Sequence, residues 1–233
     1  KLCRECKRFF PVDKSLIKLL RYGIKVPNQF TSTFLNSKED FYRYFNLDKS
    51  IFTVGIFSRV EDQKGQHLVL KALSNIKNNE RIDLQLIITG HVMNEDYYKK
   101  LKKYISDYSL EDLVKFVPFL PYPDSMKAMS YLDITILPTY EETFGLVIAE
   151  SMIVGTPVIG SKAGGVPEII NDGNNGYLFE PKNVDSLEEK ILNLYLNKDL
   201  RDKLSKNAYE FSVNEYNYDN HFLLFSRHLS EIL

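Results

Sequence analysis

An α/β fold built on a doubly wound, Rossmann-like parallel sheet is what this sequence predicts, and three observations carry that reading. Short runs rich in β-branched and aromatic residues recur along the chain, at 51–57 (IFTVGIF), 83–90 (DLQLIITG), 114–117 (VKFV), 133–137 (DITIL), 157–160 (PVIG) and 177–179 (YLF). The best of them are nearly continuous in apolar character, as strands are when helices cover both faces of a sheet. Helical patterns fall between them, and strand–helix–strand repetition with right-handed crossovers makes the pairing parallel.

The elements follow in order. Asp13 is placed to cap a short helix carrying Leu16, Ile17, Leu19 and Leu20 that stops at Gly23. A brief strand over 24–26 ends at Pro27, and residues 28–50 are polar and turn-rich. Residues 1–50 therefore read as the tail of one domain plus a linker, with the sheet domain over 51–212 and a closing helical segment over 213–233. In 66–77, Leu68, Val69, Ala72, Leu73 and Ile76 recur at the spacing of one helix face. Residues 95–108 read as a helix with a polar face and 145–155 as a more buried one. Asp185, with Glu188 three residues on, is a helix-start signal ahead of the stripe Leu187, Ile191, Leu194. Two more helices are expected at 198–211 and 217–232. The last carries Phe222, Phe225 and Leu229, a stripe that needs a surface, either on its own domain or on a second one.

Composition bounds the function. With 233 residues, 44% hydrophobic and 26% charged, the chain is long enough for one well-buried domain plus a remnant. A net charge of -1 argues against nucleic acid as the main partner. No apolar run reaches the roughly 18 residues of a membrane-spanning helix. The chain starts without methionine or a secretory pattern and so reads as a piece of a longer protein. Cys3 and Cys6 form a lone CxxC without the second pair that a structural zinc site uses, and no metal site is expected. Residues 1–25 hold eight basic side chains (Lys1, Arg4, Lys7, Arg8, Lys14, Lys18, Arg21, Lys25) against Glu5 and Asp13. That run suits either a solvated chain end or contact with anionic lipid, another subunit or a phosphorylated ligand.

Three stretches carry chemistry. EETFGLVIAE (141–150) follows the strand DITIL and opens a helix, which is where parallel sheets bind ligands. Free N–H groups at that helix start favour an anion, and Gly145 allows a phosphate to come close. Glu142 and Glu150 lie on the order of 10 Å apart at ~1.5 Å per helical residue, about the reach from a sugar past a diphosphate to a ribose. Carboxylates accept well from paired sugar hydroxyls; spacing alone suits two unrelated surface glutamates equally. SRVEDQKG (58–65), after the first strand, places Arg59 and Lys64 at the same sheet edge, where two cations can neutralise a diphosphate and hold it as a leaving group. No GxGxxG follows that strand, against a dinucleotide site. SKAGGVPEII (161–170) supplies Gly164 and Gly165 for a sharp turn near a ligand, or for a plain turn.

Taken together, PTYEETFGLVIAESMIVGTPVIGSKAGGVPEII resembles the signature region of the family 4 type of glycosyltransferase, of the GT-B fold, whose hallmark is two glutamates separated by seven residues. The likeness runs over about 24–232 and identifies the C-terminal half of such a fold, the donor-binding domain of glycosyl transferases group 1. It implies a retaining hexosyltransferase of polysaccharide biosynthesis that uses a UDP- or GDP-linked sugar and needs no cofactor or metal. By that resemblance Arg59 and Lys64 contact the donor diphosphate, the backbone of Phe144, Gly145 and Leu146 holds phosphate and sugar, and Glu150 binds the ribose. Glu142 contacts the donor sugar near the reacting carbon, in a positioning role. Val117 and Phe119 stand at the family's base-binding edge, with Pro118 where glycine is usual. Ser58 and Thr143 also replace glycines, and Thr143 narrows the sugar pocket. The acceptor, a glycan or a lipid-linked molecule, is expected on the N-terminal half, so this chain alone is expected to transfer little or no sugar. The resemblance implies a cytoplasmic protein, with peripheral association at the inner membrane face left open. A GT-B epimerase or phosphorylase shares the fold, and a non-catalytic nucleotide-sugar-binding module is the remaining alternative.

Overall fold

The computed structural model describes residues 22–25 and 35–231. Strands β1 (Phe52–Phe57), β2 (Leu84–Thr89), β3 (Val114–Val117), β4 (Ile134–Leu137), β5 (Val158–Ser161) and β6 (Tyr177–Phe179) form one sheet. Their order is β3-β2-β1-β4-β5-β6, and every neighbouring pair is parallel. Each strand lies within one residue, at either end, of the run that predicts it. The all-apolar character has its reason in burial on both sides, since β2, β4 and β5 are buried along their whole lengths.

Alternation along the strands sorts the helices into two layers. One face carries Val54, Ile56, Leu86, Ile88, Ile136 and Phe179. It is covered by α2 (Gln66–Glu80), α3 (Glu95–Asp107) and α7 (Val184–Leu196). The other face is covered near β4–β6 by α5 (Leu146–Ile153), α6 (Val166–Ile169) and α8 (Lys198–Tyr216). Toward β2 and β3 the same face meets α1 (Lys38–Tyr44) and α4 (Asp124–Met129). The last helix is α9 (Tyr218–Ser230). Among the described residues no helix is long and apolar enough to cross a membrane.

Asparagine starts four of the five described helices of 13 or more residues, α2 being the exception. Asn94, Asn183, Asn197 and Asn217 each accept, through the side chain, a backbone N–H of the first turn of α3, α7, α8 and α9. This corrects the reading of Asp185 as the cap: Asn183 caps α7 and Asp185 sits inside its first turn, where a negative charge suits the helix dipole. The expected helix at 198–211 extends to Tyr216, because Ser212 and Tyr216 continue the buried stripe begun by Leu204 and Ala208.

The chain before β1 departs further from expectation. Residues 35–50, read as turn-rich linker, contain α1, capped by Ser37, whose Oγ accepts from Asp40 N–H at 3.0 Å. Phe41, Tyr42 and Phe45 are buried against Ile87, Val117, Leu120 and Leu132. Of the strand expected over 24–26, the described part is a single bridge from Ile24 to Asn217, with Ile24 N–H donating to Tyr216 O at 2.7 Å. The expected helix before Gly23, the CxxC pair and all of the basic run except Lys25 lie outside the described residues.

Candidate functional site

The side to which the chain crosses over switches at the centre of the sheet, between β1 and β4. From β1 the chain runs to α2 on one face, and from the adjacent β4 it runs to α5 on the other, so the loops part at the carboxyl ends of these strands. Such a switch point is where open α/β sheets hold their ligands. A cavity of about 570 Å³ lies there, walled by Ser58, Arg59 and Lys64 after β1 and by Glu142, Gly145, Leu146 and Glu150 after β4. Gly90 and His91 after β2 and Phe119 after β3 close its far end.

The two helices that open at the crevice have glycine caps. Gly65 precedes α2 with φ 64° and Gly145 precedes α5 with φ 93°, and neither offers a side chain to the first N–H groups. At α2 two of those donors are already used, His67 N–H by Tyr97 Oη at 3.2 Å and Leu68 N–H by Gly65 O at 2.9 Å, so the start of α5 is the one open to a ligand, and its dipole favours an anion. Beside them Lys64 Nζ lies 2.9 Å from Glu142 Oε2, with only 12% and 18% of the two side chains exposed. The other Glu142 oxygen accepts from Thr143 N–H at 3.1 Å. Arg59 is more open, 56% exposed, and its guanidinium meets Glu61 Oε1 at 2.9 Å. The loop bearing Arg59 is fixed from beneath by the fully buried Gln66, whose Nε2 donates to Ser58 Oγ (3.1 Å) and to Arg59 O (2.7 Å). The β1 and β2 loops are joined by Val60 N–H donating to His91 O (2.9 Å) and Met93 N–H donating to Val60 O (3.1 Å).

Residues 38–211 match the family described as glycosyl transferases group 1. The chain belongs to the group 1 glycosyltransferases. Among curated relatives it is 34% identical, over 178 residues, to an uncharacterised glycosyltransferase of Methanocaldococcus jannaschii, covering 76% of this chain and 46% of that protein. A second uncharacterised glycosyltransferase of the same organism is 31% identical over 213 residues, covering 90% and 52% respectively. The chain thus spans about half the length of the curated relatives it matches. Among solved structures it resembles Anabaena HepE, in complex with UDP and glucose, with a TM-score of 0.83 and 26% identity over 94% of this chain and 58% of that one. It also resembles the C-terminal domain of a group 1 glycosyl transferase, LpcC, from Francisella tularensis (TM-score 0.67, 27% identity), over 78% of this chain and 94% of that domain.

In this group 1 glycosyltransferase chain the expected site residues Arg59, Lys64, Phe119, Glu142, Gly145, Leu146 and Glu150 share one cavity. Two do not reach its wall. Val117 is buried under α1, in the cluster of Phe41 and Leu120, and Leu120 takes the place at the cavity expected of it. Phe144 packs its ring at 5.0 Å from Tyr22 and 5.8 Å from Tyr216, clear of the cavity walls, and only its backbone was expected at the site. His91 is an addition that residue type did not reveal: its ring stacks on Phe119 at 4.4 Å and 22°, forming an aromatic end to the cavity. A signal existed in its position, directly after a strand and a glycine.

Glu150 sits in the first turns of α5, and burial pushes its carboxyl above the ordinary carboxylate range. Burial likewise raises Tyr122, with the nearby Glu150 charge adding to it. A carboxyl raised in the folded state stabilises the fold at acid pH, and that contribution is lost as pH rises through the raised value. Glu150→Gln removes the charge, so at pH 7 to 8 the variant is expected to melt ~1–4 °C higher than the native chain. The difference should vanish near pH 4. A melting series across that range checks it, and a variant that melts lower at pH 8 rejects the assignment of strain to the Glu150 charge.

Proposed function

We propose that this chain is the donor-binding half of a retaining glycosyltransferase that takes a UDP-linked hexose and passes the sugar to a glycan or lipid-linked acceptor. The observation that carries the reading is the gathering of Arg59, Lys64, Glu142, Glu150 and the open helix start at Gly145 around one cavity. Two cations and uncapped amides suit a diphosphate. Glu150, held in a poorly solvated spot, gains from accepting ribose hydroxyls, and Glu142 lies where the α5 loop would meet the hexose. The stacked His91 and Phe119 form an apolar end suited to a flat base. UDP is preferred to GDP in this reading because HepE, 26% identical, is a solved neighbour with UDP bound.

Transfer then proceeds through an oxocarbenium-like state. Negative charge builds on the departing diphosphate, and Arg59 and Lys64 stabilise it without a metal; Glu142 orients the sugar. The acceptor binds an N-terminal domain from which residues 1–50 lead in to the sheet domain of 51–212. Residues 213–233 return toward that domain, a role suited to the exposed Phe222, Leu223, Leu224 and Phe225 of α9. The protein works in the cytoplasm or at the inner membrane face, and the donor half alone transfers little sugar.

Calorimetry tests the donor assignment. UDP is expected to bind the chain, with Arg59→Ala weakening it roughly tenfold, as loss of one charge-assisted contact does. Glu150→Gln should weaken UDP while raising stability as described above. No heat with either UDP or GDP rejects the reading, and tighter binding of GDP than UDP rejects the base assignment. The anomeric configuration of the product, read by NMR on the full-length enzyme, decides retention.

A further inference from the structure

The charged pair Lys64–Glu142 joins two short segments, 63–67 at the start of α2 and 138–142 after β4, and several other links join the same two segments. Tyr140 N–H donates to Gln63 O at 2.8 Å, and Thr139 Oγ1, whose one hydrogen goes to Glu141 O at 2.6 Å, lies 3.2 Å from the same Gln63 carbonyl. Farther from the cavity, His67 Nε2 lies 2.9 Å from Tyr140 Oη. His67 is in turn held by α3: its backbone N–H donates to Tyr97 Oη at 3.2 Å, and its Nδ1 lies 2.8 Å from the same oxygen.

Hydrogen counting fixes the roles. Tyr97 is 2% exposed, so its hydroxyl hydrogen needs an acceptor, and His67 Nδ1 is the one within reach. The imidazole proton is then on Nε2 and is donated to Tyr140 Oη. Burial first and Lys100 second hold the imidazole toward its neutral form, against the opposing pull of Asp62. The remaining neighbours are the rings of Tyr104 at 6.4 Å and, over Tyr140, the Lys182 ammonium at 5.2 Å. Neither supplies a carboxylate that would favour a second proton on the ring.

We infer that His67 is a positioning residue of the donor site: clamped by Tyr97, its imidazole holds Tyr140 and so locks the segment 138–142 to the segment 63–67 that carries Lys64, fixing where that cation stands. None of the three side chains lines the cavity, so they act on the donor only through the segment they hold. The inference rests on the reading of Lys64 and Glu142 as contacts to the diphosphate and sugar.

The test compares UDP with UMP on the full chain and a small set of variants. An asparagine amide overlays the Nδ1 side of an imidazole and a glutamine amide the Nε2 side. Tyr140→Phe and His67→Asn, which each lose the Tyr140 link, are expected to weaken UDP by roughly five- to tenfold. UMP, which lacks the second phosphate, should change by less than about twofold on the same arithmetic. His67→Gln should restore most of the UDP affinity, and the double variant Tyr140→Phe/His67→Asn should be no weaker than either single one. Tyr140→Phe removes one oxygen from a half-exposed ring, so it keeps the test open if the His67 variants fail to fold. Equal losses for UDP and UMP, additive losses in the double variant, or unchanged UDP binding by Tyr140→Phe would each overturn the inference. A native chain that binds neither nucleotide overturns the donor reading as well, whereas a native chain that binds UDP with unmoved variants overturns only the role of His67.

Discussion

Gly164→Ala is expected to abolish measurable UDP binding and to lower the melting temperature by ~5–15 °C, the largest effect of any single methyl added near the site. Gly164 has φ +53°, and a Cβ built there falls on the carbonyl oxygen of Glu142, far inside the 3.0 Å that real Cβ atoms keep. The obstacle is backbone, so no rotamer change relieves it. The adjacent Gly165 N–H donates to the same carbonyl at 3.0 Å, and a Cβ at Gly165 would crowd Thr143 O. The turn between β5 and α6 is thus laid directly on the strand of chain that presents Glu142 to Lys64. A left-handed alanine costs about 1 kcal/mol, and forcing the segments apart costs a further ~1–3 kcal/mol. Gly173 provides the control: its φ is +75°, yet nothing lies within 4 Å of a Cβ placed there. Gly173→Ala should show the backbone cost alone, about 1 kcal/mol, with UDP affinity intact. Matching behaviour of the two variants in melting and calorimetry would refute the claim that this turn buttresses the Glu142 segment.

Much of this arrangement could be read in advance because it depends on neighbours in sequence. A strand buried on both faces has to be apolar throughout, so β1, β2 and β4 announced themselves, and the loops after them could be assigned to one edge as soon as the pairing was parallel. That logic puts Arg59, Lys64 and Glu142 at one edge, although Lys64 and Glu142 are 78 residues apart; that these residues and Glu150 form one ligand site comes from the resemblance to the glycosyltransferase signature, because their spacing alone suits unrelated surface charges equally. What stayed hidden depends on packing between elements. α1 is polar on most of its surface, and only Phe41 with Phe45, four residues on, hints at a buried stripe; its stability comes from Leu120 and Leu132, distant in sequence. The short helices α4 and α6 carry too few turns to show a period. Asn183 lost to Asp185 in the reading of α7 because both residue types cap helices, and only the backbone shows which one stands outside the first turn. His67, Tyr97 and Tyr140 come from two helices and a loop, each an ordinary residue where it stands. Val117 shows the converse: an adjacent-strand position that looked like cavity wall is covered by a helix the sequence did not announce.

Lys64→Met should destabilise the fold by about 2–3 kcal/mol and weaken UDP by ~100-fold, with most of the lost stability restored when Glu142→Gln is added. The two side chains meet at 2.9 Å and are largely shielded from solvent. Removing the ammonium leaves the Glu142 carboxylate poorly hydrated and without its cation, a heavier penalty than the net worth of the pair. Replacing both charges by neutral groups removes that orphan, which is why the second change should repair the first; partial exposure keeps the figure below that of a fully buried pair. The same contact predicts an opposite result for the ligand. In the free protein the carboxylate occupies the cation that a diphosphate needs, so Glu142→Gln alone frees Lys64, and UDP should bind as well as or up to ~10-fold better than to the native chain. UDP-hexose, which in the proposed reading also contacts Glu142 through its sugar, should lose that gain. The ratio of UDP to UDP-hexose affinity therefore separates a glutamate that serves the sugar from one that merely neutralises a lysine. Should Glu142→Gln fail to relieve Lys64→Met in urea unfolding, or weaken UDP and UDP-hexose alike, the pair is a structural bridge and the competition between carboxylate and diphosphate does not exist.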